Sequence, residues 1–510
     1  MGEVASVRRW IVGSIVVCFV LAGCTGGTPE VAPSAVPSPS ATTKEPDALR
    51  PFYSQSADWS ECGAFECSSI RAPLDYDKPA GRSITLSMLM RPANNQGDKV
   101  GALFVNPGGP GVSGIEYARL SEVLFRAPIL ESYDIIGWDP RGVGESTAIA
   151  CMTDEETDTL LQADGTPDDA AEVDQLIRLN SRFTQGCKSD DAPLIPEIGT
   201  FNSARDMDLL RASVSEQRLN YFGASYGTEL GAIYADLFPQ RVGRMVLDAA
   251  LDPAVSGSDL ARGQLKGFQQ ATRAFIDDCI ARDGCAVGPT PDEAEAQLAE
   301  LLADIDAAPL PTDSGRPLTE ALATLGMIAA MYSESSGWPS LRLGLAQAFQ
   351  GDGTVLLALA DAYSERNTDG TYASNVNSAF PAISCTDRPE TSSIAEIRGV
   401  VPAYERISPI FGRTFAWAGL SCQRWPVAEG QFPFTATAKG ADPIVVIGTT
   451  RDPATPYAWS VSLAKSLRSG VLISRDGDGH TGYNAGNECV DTVVDEYLVG
   501  GEVPTDPTRC

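Results

Sequence analysis

Short apolar runs that each end in a loop rich in glycine, proline or aspartate recur along this sequence from about residue 98. Examples are GALFVN before PGGPG, YDIIGW before DPRGVGES and LNYF before GASYG, with helical spacing of apolar residues between them. Such runs predict the buried strands of a parallel sheet with helices on both faces. The sequence therefore predicts an α/β fold whose functional residues lie at the carboxyl ends of the strands.

This alternation of short apolar runs and loops is absent from residues 253–430. AEAQLAELLADI and LRLGLAQAFQ have helical spacing there, and strand-like runs are few. We therefore predict a mainly helical cap at 253–430, inserted between the sixth and seventh strands of a core formed by residues 50–252 and 431–510.

The N-terminal segment predicts export. Trp10 to Ala22 is an apolar run of about 13 residues, too short to span a bilayer and typical of a signal peptide, here residues 1–23. The run ends in LAGC, which resembles the lipobox of bacterial lipoproteins, in which the cysteine (here Cys24) is lipidated. The alternative is an ordinary cleaved signal peptide. Residues 24–49 are rich in Pro, Ser, Thr and Ala and predict a disordered tether at the extracytoplasmic face of the membrane.

Ten cysteines follow Cys24, an even number that fits an oxidising compartment. They fall into sequence neighbours, which favours five disulfides, although sequence alone leaves the connectivity open. The favoured couples are Cys62–Cys67, Cys151–Cys187, Cys279–Cys285, Cys385–Cys422 and Cys489–Cys510. A metal site is not favoured, because the chain has no C-x-x-C motif and a single histidine. We expect no cofactor.

The formal net charge of −29 argues against nucleic acid or an anionic membrane surface as an electrostatic partner. Hydrophobic content of 43% and charged content of 21% are ordinary for a globular protein. The net charge therefore argues against these two partners but does not indicate which reaction the protein catalyses.

Residues 223–227 read GASYG and match the pattern G-x-S-x-G. A predicted strand precedes them and a predicted helix, from about Tyr226 to Leu237, follows. This context is typical of a nucleophile elbow, a tight strand-to-helix turn that presents a serine above the sheet. We therefore predict Ser225 as a catalytic nucleophile rather than a serine in a glycine-rich helix cap.

A serine hydroxyl needs a base, and imidazole has a suitable pKa. His480 is the one histidine of the chain, and it follows a predicted strand near the C-terminus. Asp452, after another strand, is the expected acid, and the order serine, acid, histidine is that of α/β-hydrolases. Asp248 or Asp252 is the alternative acid. Asp476 and Asp478 are too close to His480 along the chain and are expected in a solvated loop.

The oxyanion of an acyl transfer needs preformed N–H donors. The backbone of Tyr226, which follows the nucleophile, is one expected donor. The loop PGGPG is expected to provide the other, and we favour Gly109 over Gly108.

Three motifs together resemble those of proline-iminopeptidase-like α/β-hydrolases: PGGPG at 107–111, DPRGVGES at 139–146 and GASYG at 223–227. Residues 50–510, with SCTDRPE and TRDPATP, are more narrowly similar to the secreted tripeptidyl aminopeptidases of Streptomyces and to mycobacterial envelope serine hydrolases of the carboxylesterase A type. One position departs from the family's HGGPG loop: Pro107 stands where that loop has histidine.

The resemblance implies a serine hydrolase that releases short N-terminal peptides, or a protease, acting through an acyl-enzyme. An exopeptidase binds the substrate's α-ammonium group, for which a carboxylate in the cleft is expected. The candidates are Glu145, Glu334 and Asp387, each of which is otherwise an ordinary surface or structural acid. The alternatives are a carboxylesterase acting on envelope lipids or other esters, and a non-catalytic binding lipoprotein.

Overall fold

The computed structural model describes residues 47–189, 192–427 and 429–510, which belong to one compact unit. The predicted signal peptide, Cys24 and nearly all of the predicted tether lie outside the described residues. Within the described ranges, no helix is both long enough and apolar enough to cross a bilayer.

A ten-stranded sheet forms the centre of the fold. Its strands are β1 (Ser60–Cys62), β2 (Phe65–Pro73), β3 (Ser83–Arg91), β4 (Gly101–Asn106), β5 (Tyr133–Trp138), β6 (Leu219–Ala224), β7 (Val242–Asp248), β8 (Ile444–Arg451), β9 (Gly470–Asp478) and β10 (Thr508–Arg509). Their order across the sheet is β1-β2-β3-β5-β4-β6-β7-β8-β9-β10. The pairs from β5–β4 to β9–β10 are parallel, and those on the other side, β1–β2, β2–β3 and β3–β5, are antiparallel. The predicted, mostly parallel sheet is confirmed.

Both faces of the central strands are buried, which explains their continuous apolar runs. Side chains alternate between faces along a strand, so Phe104 and Val105, adjacent in β4, belong to hydrophobic clusters on opposite sides of the sheet. The parallel strands therefore have both faces covered by packed layers.

Eighteen α-helices accompany the sheet in the described residues. They are α1 (Arg50–Tyr53), α2 (Gly114–Arg119), α3 (Ser121–Leu124), α4 (Ala127–Ser132), α5 (Asp154–Gln162), α6 (Ala170–Ser189), α7 (Thr200–Ser213), α8 (Tyr226–Leu237), α9 (Gly257–Ile280), α10 (Pro291–Ala307), α11 (Glu320–Met331), α12 (Gly337–Ala348), α13 (Thr354–Tyr363), α14 (Val376–Asp387), α15 (Ile394–Ile407), α16 (Gly412–Trp417), α17 (Tyr457–Ser466) and α18 (Glu488–Asp495).

The helices α9 to α16 lie between β7 and β8 and correspond to the predicted cap. Much of this region packs around its own cluster of buried side chains, which includes Phe275, Leu298 and Met327. The insertion lies between β7 and β8, which are the predicted sixth and seventh core strands when counting starts from β2. The additional strand is the three-residue β1, which forms a hairpin with β2 and which the sequence did not predict.

A second helical insertion lies between β5 and β6, inside the segment predicted as core. Val173 of α6 packs with Ile397 and Trp417 of the cap. Asp158 of α5 pairs with Arg366 of the cap at 2.7 Å. The helices α5 and α6 therefore pack on the cap. Their helical periodicity does not reveal which layer they cover, because packing partners distant in sequence decide that.

The five disulfides of the structure join the couples favoured from the sequence: Cys62–Cys67, Cys151–Cys187, Cys279–Cys285, Cys385–Cys422 and Cys489–Cys510. Cys151–Cys187 links the segment before α5 to α6, and Cys489–Cys510 links α18 to the last residue of the sequence.

Arg141 of the DPRGVGES motif has a structural role. Its guanidinium makes two 2.7 Å contacts with the carboxylate of Asp206 on α7, and both side chains are fully buried. It also donates to the backbone oxygens of Pro73, Leu74 and Glu197. The motif therefore ties the end of β5 to β2 and α7.

Candidate active site

Ser225 lies at the turn between β6 and α8, at the carboxyl edge of the sheet. Its backbone has φ 56° and ψ −126°, a left-handed conformation that is unusual for a residue with a side chain. A Cβ at Gly223 would lie 2.4 Å from the backbone oxygen of Gly227, so the turn requires glycine there. This is the geometry of a nucleophile elbow.

The PGGPG loop packs directly against this elbow. A Cβ at Gly108 would lie 2.6 Å from the oxygen of Ala224 and 2.8 Å from the nitrogen of Tyr226, so the close approach depends on glycine. Gly109 and Tyr226 line the same cavity as Ser225. Tyr226 is also the first residue of α8, where backbone N–H groups have no partner within the helix. The arrangement is suited to binding an oxyanion.

His480 and Asp452 form the second part of the site. Nδ1 of His480 lies 2.9 Å from each carboxylate oxygen of Asp452, and the Asp452 side chain is fully buried. The backbone N–H groups of Ala454 and Thr455 and the hydroxyl of Thr455 also donate to this carboxylate. Thr455 lines the cavity that contains Ser225, which connects this pair to the elbow.

The electrostatics of His480 favour its protonated form. Burial alone lowers the pKa of the imidazole, but the negative charge and hydrogen bond of Asp452, with a smaller contribution from Asp248, raise the pKa above its ordinary value. Nε2 of His480 is buried and has no hydrogen-bond partner among the described residues, so this nitrogen is available to accept a proton.

The alternative acids occupy other positions. The carboxylate of Asp248 accepts the backbone N–H groups of Gly482 and Tyr483, and Asp252 accepts that of Ala254. Asp476 and Asp478 pair with Arg451. The acid in contact with the imidazole is Asp452.

Ser225 opens into a cavity of about 340 Å³ between the sheet and the cap, called here the serine cavity. Phe380, Val400, Tyr404 and Phe415 give it an apolar wall, and Glu229, Asp387 and Glu390 contribute carboxyl groups. Burial raises the pKa of Asp387 to about 7. Thr200 donates its backbone N–H and its hydroxyl to the carboxylate of Asp387.

The ion pair between Glu229 and Arg388 in this cavity was not predicted. Glu229 lies four residues after Ser225 on α8, one helical turn on, so helical spacing was a signal that could have identified it. Arg388 lies in the quoted motif SCTDRPE. Its proximity to Glu229 depends on how the cap docks, which local sequence does not reveal.

The three candidate acids for a substrate ammonium lie in different places. Asp387 lines the serine cavity. Glu334 lines a separate cavity beside His480. The side chain of Glu145 is 58% exposed, contacts Arg119 at 3.6 Å and lines neither cavity. The structure therefore does not bring these three residues together.

No group of three or more His, Cys, Asp and Glu side chains is placed to hold a metal ion in the part of the chain that the structure describes.

A nucleophile elbow, an adjacent glycine loop and an Asp–His pair at the carboxyl edge of a parallel sheet define a serine hydrolase with the α/β-hydrolase fold. Family profiles agree: one described as alpha/beta hydrolase fold matches residues 101–291, and one described as TAP-like protein matches residues 408–510.

Several known proteins resemble the chain over most of its length. Serine protease Hip1 of Mycobacterium tuberculosis is 36% identical over 485 residues, which cover 90% of this chain and 92% of the relative. Carboxylesterase B of the same organism is 36% identical, with coverage of 96% and 92%. Tripeptidyl aminopeptidase of Streptomyces coelicolor is 32% identical, with coverage of 89% and 85%. The chain belongs to this family of serine hydrolases, whose named members include peptidases and an esterase. The predicted fold and enzyme class are confirmed.

Proposed function

We propose that the chain is an exported, lipid-anchored aminopeptidase or protease that releases short N-terminal peptides through an acyl-enzyme at Ser225. His480 takes the proton of the Ser225 hydroxyl as the hydroxyl attacks the scissile carbonyl, and then delivers it to the departing amine. Asp452 holds the imidazole by Nδ1 and stabilises its cationic form. The backbone N–H groups of Gly109 and Tyr226 bind the oxyanion.

The observation that carries the peptidase proposal is the combination of carboxyl groups and apolar side chains in the serine cavity. Its volume of about 340 Å³ lies at the lower end of the range of about 300–1,000 Å³ for small-molecule sites. Such a space suits a few residues rather than a folded chain. Asp387 is the candidate partner for the substrate's α-ammonium group, because a cation beside it would stabilise its ionised form.

The experiment compares tripeptidyl amides that carry a free or an acetylated N-terminus, using the exported domain and its Asp387→Asn variant. The proposal expects the wild type to prefer free N-termini, and expects Asp387→Asn to reduce kcat/KM for these while leaving blocked substrates unchanged. Glu145→Gln, which removes an exposed carboxylate outside the cavity, is the control. Equal losses for free and blocked substrates would show that Asp387 has a structural role instead.

A carboxylesterase is the second candidate function. The aromatic and aliphatic wall formed by Phe380, Val400, Tyr404 and Phe415 favours it, since an acyl chain needs apolar contacts and no ammonium partner. The same preparation is therefore assayed with acyl esters of increasing chain length. A kcat/KM that rises with chain length and exceeds that of every peptide would support the esterase.

Export and lipid anchoring rest on the sequence of the N-terminal segment. In the native host, Cys24→Ser is expected to prevent incorporation of labelled palmitate and to remove the protein from the membrane fraction. Cys18→Ser, within the same apolar run, is the control and should leave both unchanged. Retention of label by Cys24→Ser would contradict the anchor.

A further inference from the structure

A second cavity lies on the imidazole side of the site. It has a volume of about 310 Å³ and is called here the histidine cavity; His480, Tyr332 and Glu334 are among the residues that line it. No residue lines both this cavity and the serine cavity. Ser225 therefore lines one cavity and His480 lines the other.

The chemistry of acyl transfer assigns a part of the substrate to each space. The acyl group becomes bonded to Ser225 with its oxygen near Gly109 and Tyr226, so it occupies the serine cavity. The leaving amine takes its proton from His480, so it departs on the imidazole side. We propose that the histidine cavity binds the amine component of the substrate and that Glu334 selects a cationic side chain on that component. This inference rests on the acyl-enzyme route proposed above, but not on the choice between peptide and ester as acyl donor.

The unpartnered nitrogen of the base supports this assignment. The His480 side chain is 8% exposed and lines the histidine cavity, and its buried Nε2 has no hydrogen-bond partner among the described residues. In the proposed reaction this nitrogen takes the proton of the Ser225 hydroxyl and then delivers it to the leaving amine, so the amine must come within hydrogen-bond reach of it.

A loop of the cap forms one wall of the histidine cavity and is fixed relative to the base. The backbone oxygen of Tyr332 accepts the N–H of His480 at 2.9 Å, and the two rings meet edge to face at 5.1 Å. Ser333, Glu334 and Ser335 follow Tyr332 along the same wall. Glu334 therefore stands at a defined position beside the departing amine.

Glu334 is the carboxylate of this cavity that remains available for a ligand. Asp478 pairs with Arg451, and Asp248 accepts the two backbone N–H groups described above. Arg475, a cation in the lining, donates to the backbone oxygens of Asp478 and Ala485. Glu334 is exposed and makes no hydrogen bond or close ion pair among the described residues, and the charge of Arg282, which pairs with Asp278, acts on it only at longer range. It therefore favours a cation in the cavity over a neutral group of the same shape.

Transfer of the acyl group from Ser225 to an added amine directly reports amine binding in the histidine cavity. The lone pair of the amine attacks the acyl carbon of the Ser225 ester, a C–N bond forms and the C–Oγ bond breaks. The amine proton passes through Nε2 of His480 to Oγ of Ser225. This step is the reverse of amide cleavage, so the attacking amine occupies the position of the leaving amine.

The experiment forms the acyl-enzyme from a p-nitrophenyl ester and adds argininamide or citrullinamide, which differ mainly in the charge of the side chain. The ratio of amide product to acid product is measured for each amine by mass spectrometry. We expect the ratio to be about fivefold higher for argininamide, the size of effect that one solvent-exposed ion pair supplies. Glu334→Gln should bring the two amines to the same ratio, and because each ratio is taken within one protein, any change in the rate of ester hydrolysis cancels.

Glu131→Gln, which removes an exposed carboxylate of α4 outside both cavities, is the control and should keep the fivefold preference. Equal ratios for the two amines in the wild type, or a preference that survives in Glu334→Gln, would overturn the assignment of Glu334. Ester hydrolysis without any amide product would overturn the amine site itself. A chain that forms no acyl-enzyme from any ester or peptide would instead refute the proposed function.

Discussion

The carboxylate of Asp248 holds the backbone of Gly482: the N–H of Gly482 donates to Oδ1 of Asp248 at 2.8 Å, across 234 residues of sequence. The backbone oxygen of Asp248 also accepts the N–H of Ser225 at 2.9 Å. One residue at the end of β7 therefore connects the nucleophile elbow to the loop that carries His480.

Asp248→Asn is expected to lower kcat/KM by roughly tenfold, whereas Asp452→Asn should lower it by about 10⁴, as loss of the orienting acid does in other triads. An asparagine at 248 still accepts one N–H but not both, so the His480 loop shifts without losing its acid. Steady-state kinetics of the two variants test the assignment. If Asp248→Asn is the more damaging variant, Asp248 is the orienting acid.

Ser225→Ala is expected to prevent labelling by a fluorophosphonate probe and to reduce kcat by about 10⁴ or more. The hydroxyl is the nucleophile, and neither the elbow nor the Asp–His pair replaces it. Ser466→Ala, a serine of α17 outside both cavities, is the control for folding. Labelling of the Ser225→Ala protein at the wild-type level would show that another residue reacts.

The pKa of His480 is expected to lie above its ordinary value of 6.5, because the charge of Asp452 outweighs the effect of burial. The imidazole acts as a base when neutral, so activity should fall as the pH drops through this pKa. Since the chain has one histidine, NMR of protein with ¹³C-labelled histidine reports this pKa directly. In Asp452→Asn the pKa should fall below 6.5, because burial then dominates; an unchanged pKa would contradict this account.

The pH profile of activity is expected to show more than one step, although titration of the single histidine alone would give one. Burial also raises the pKa of Asp248 to about 6 and that of Asp387 to about 7. Both carboxyl groups therefore titrate in a pH range close to that of the imidazole. Asp387→Asn should simplify the profile for blocked substrates without changing the NMR titration of His480.

Arg141→Ala is expected to lower the free energy of unfolding by about 3–5 kcal/mol, since it leaves the carboxylate of Asp206 buried without its ion-pair partner. Urea denaturation measures the change. Arg119→Ala, which removes a partly exposed arginine, is the control and should change the stability by less than about 0.5 kcal/mol. A wild-type midpoint for Arg141→Ala would contradict a structural role for the motif.

The domain that the structure describes is expected to contain no free thiol, because its ten cysteines form five disulfides. Thiol titration of the denatured, unreduced domain should read close to zero, and reduction should release all ten. Two or more free thiols before reduction would contradict the pairing.

Local sequence was sufficient where neighbouring residues determine the structure. The glycines around Ser225 set the turn, the apolar runs set the buried strands, and the cysteine couples lie within 37 residues of each other. The order of Ser225, Asp452 and His480 also follows from the order of the strands. These features depend on contacts that the chain makes close to itself or on the regular succession of strand and helix.

Tertiary structure decided which of several similar side chains meet. Asp248, Asp252 and Asp452 all lie at or after the end of a strand, but the pairing of β8 with β9 brings Asp452 to Nδ1 of His480, whereas Asp248 at the end of β7 accepts the backbone N–H of Gly482. Docking of the cap places Asp387 in the serine cavity and Glu334 in the histidine cavity. The physical reason is that each of these positions depends on contacts between segments far apart in sequence, whose energies come from burial and hydrogen bonding that a local pattern does not contain.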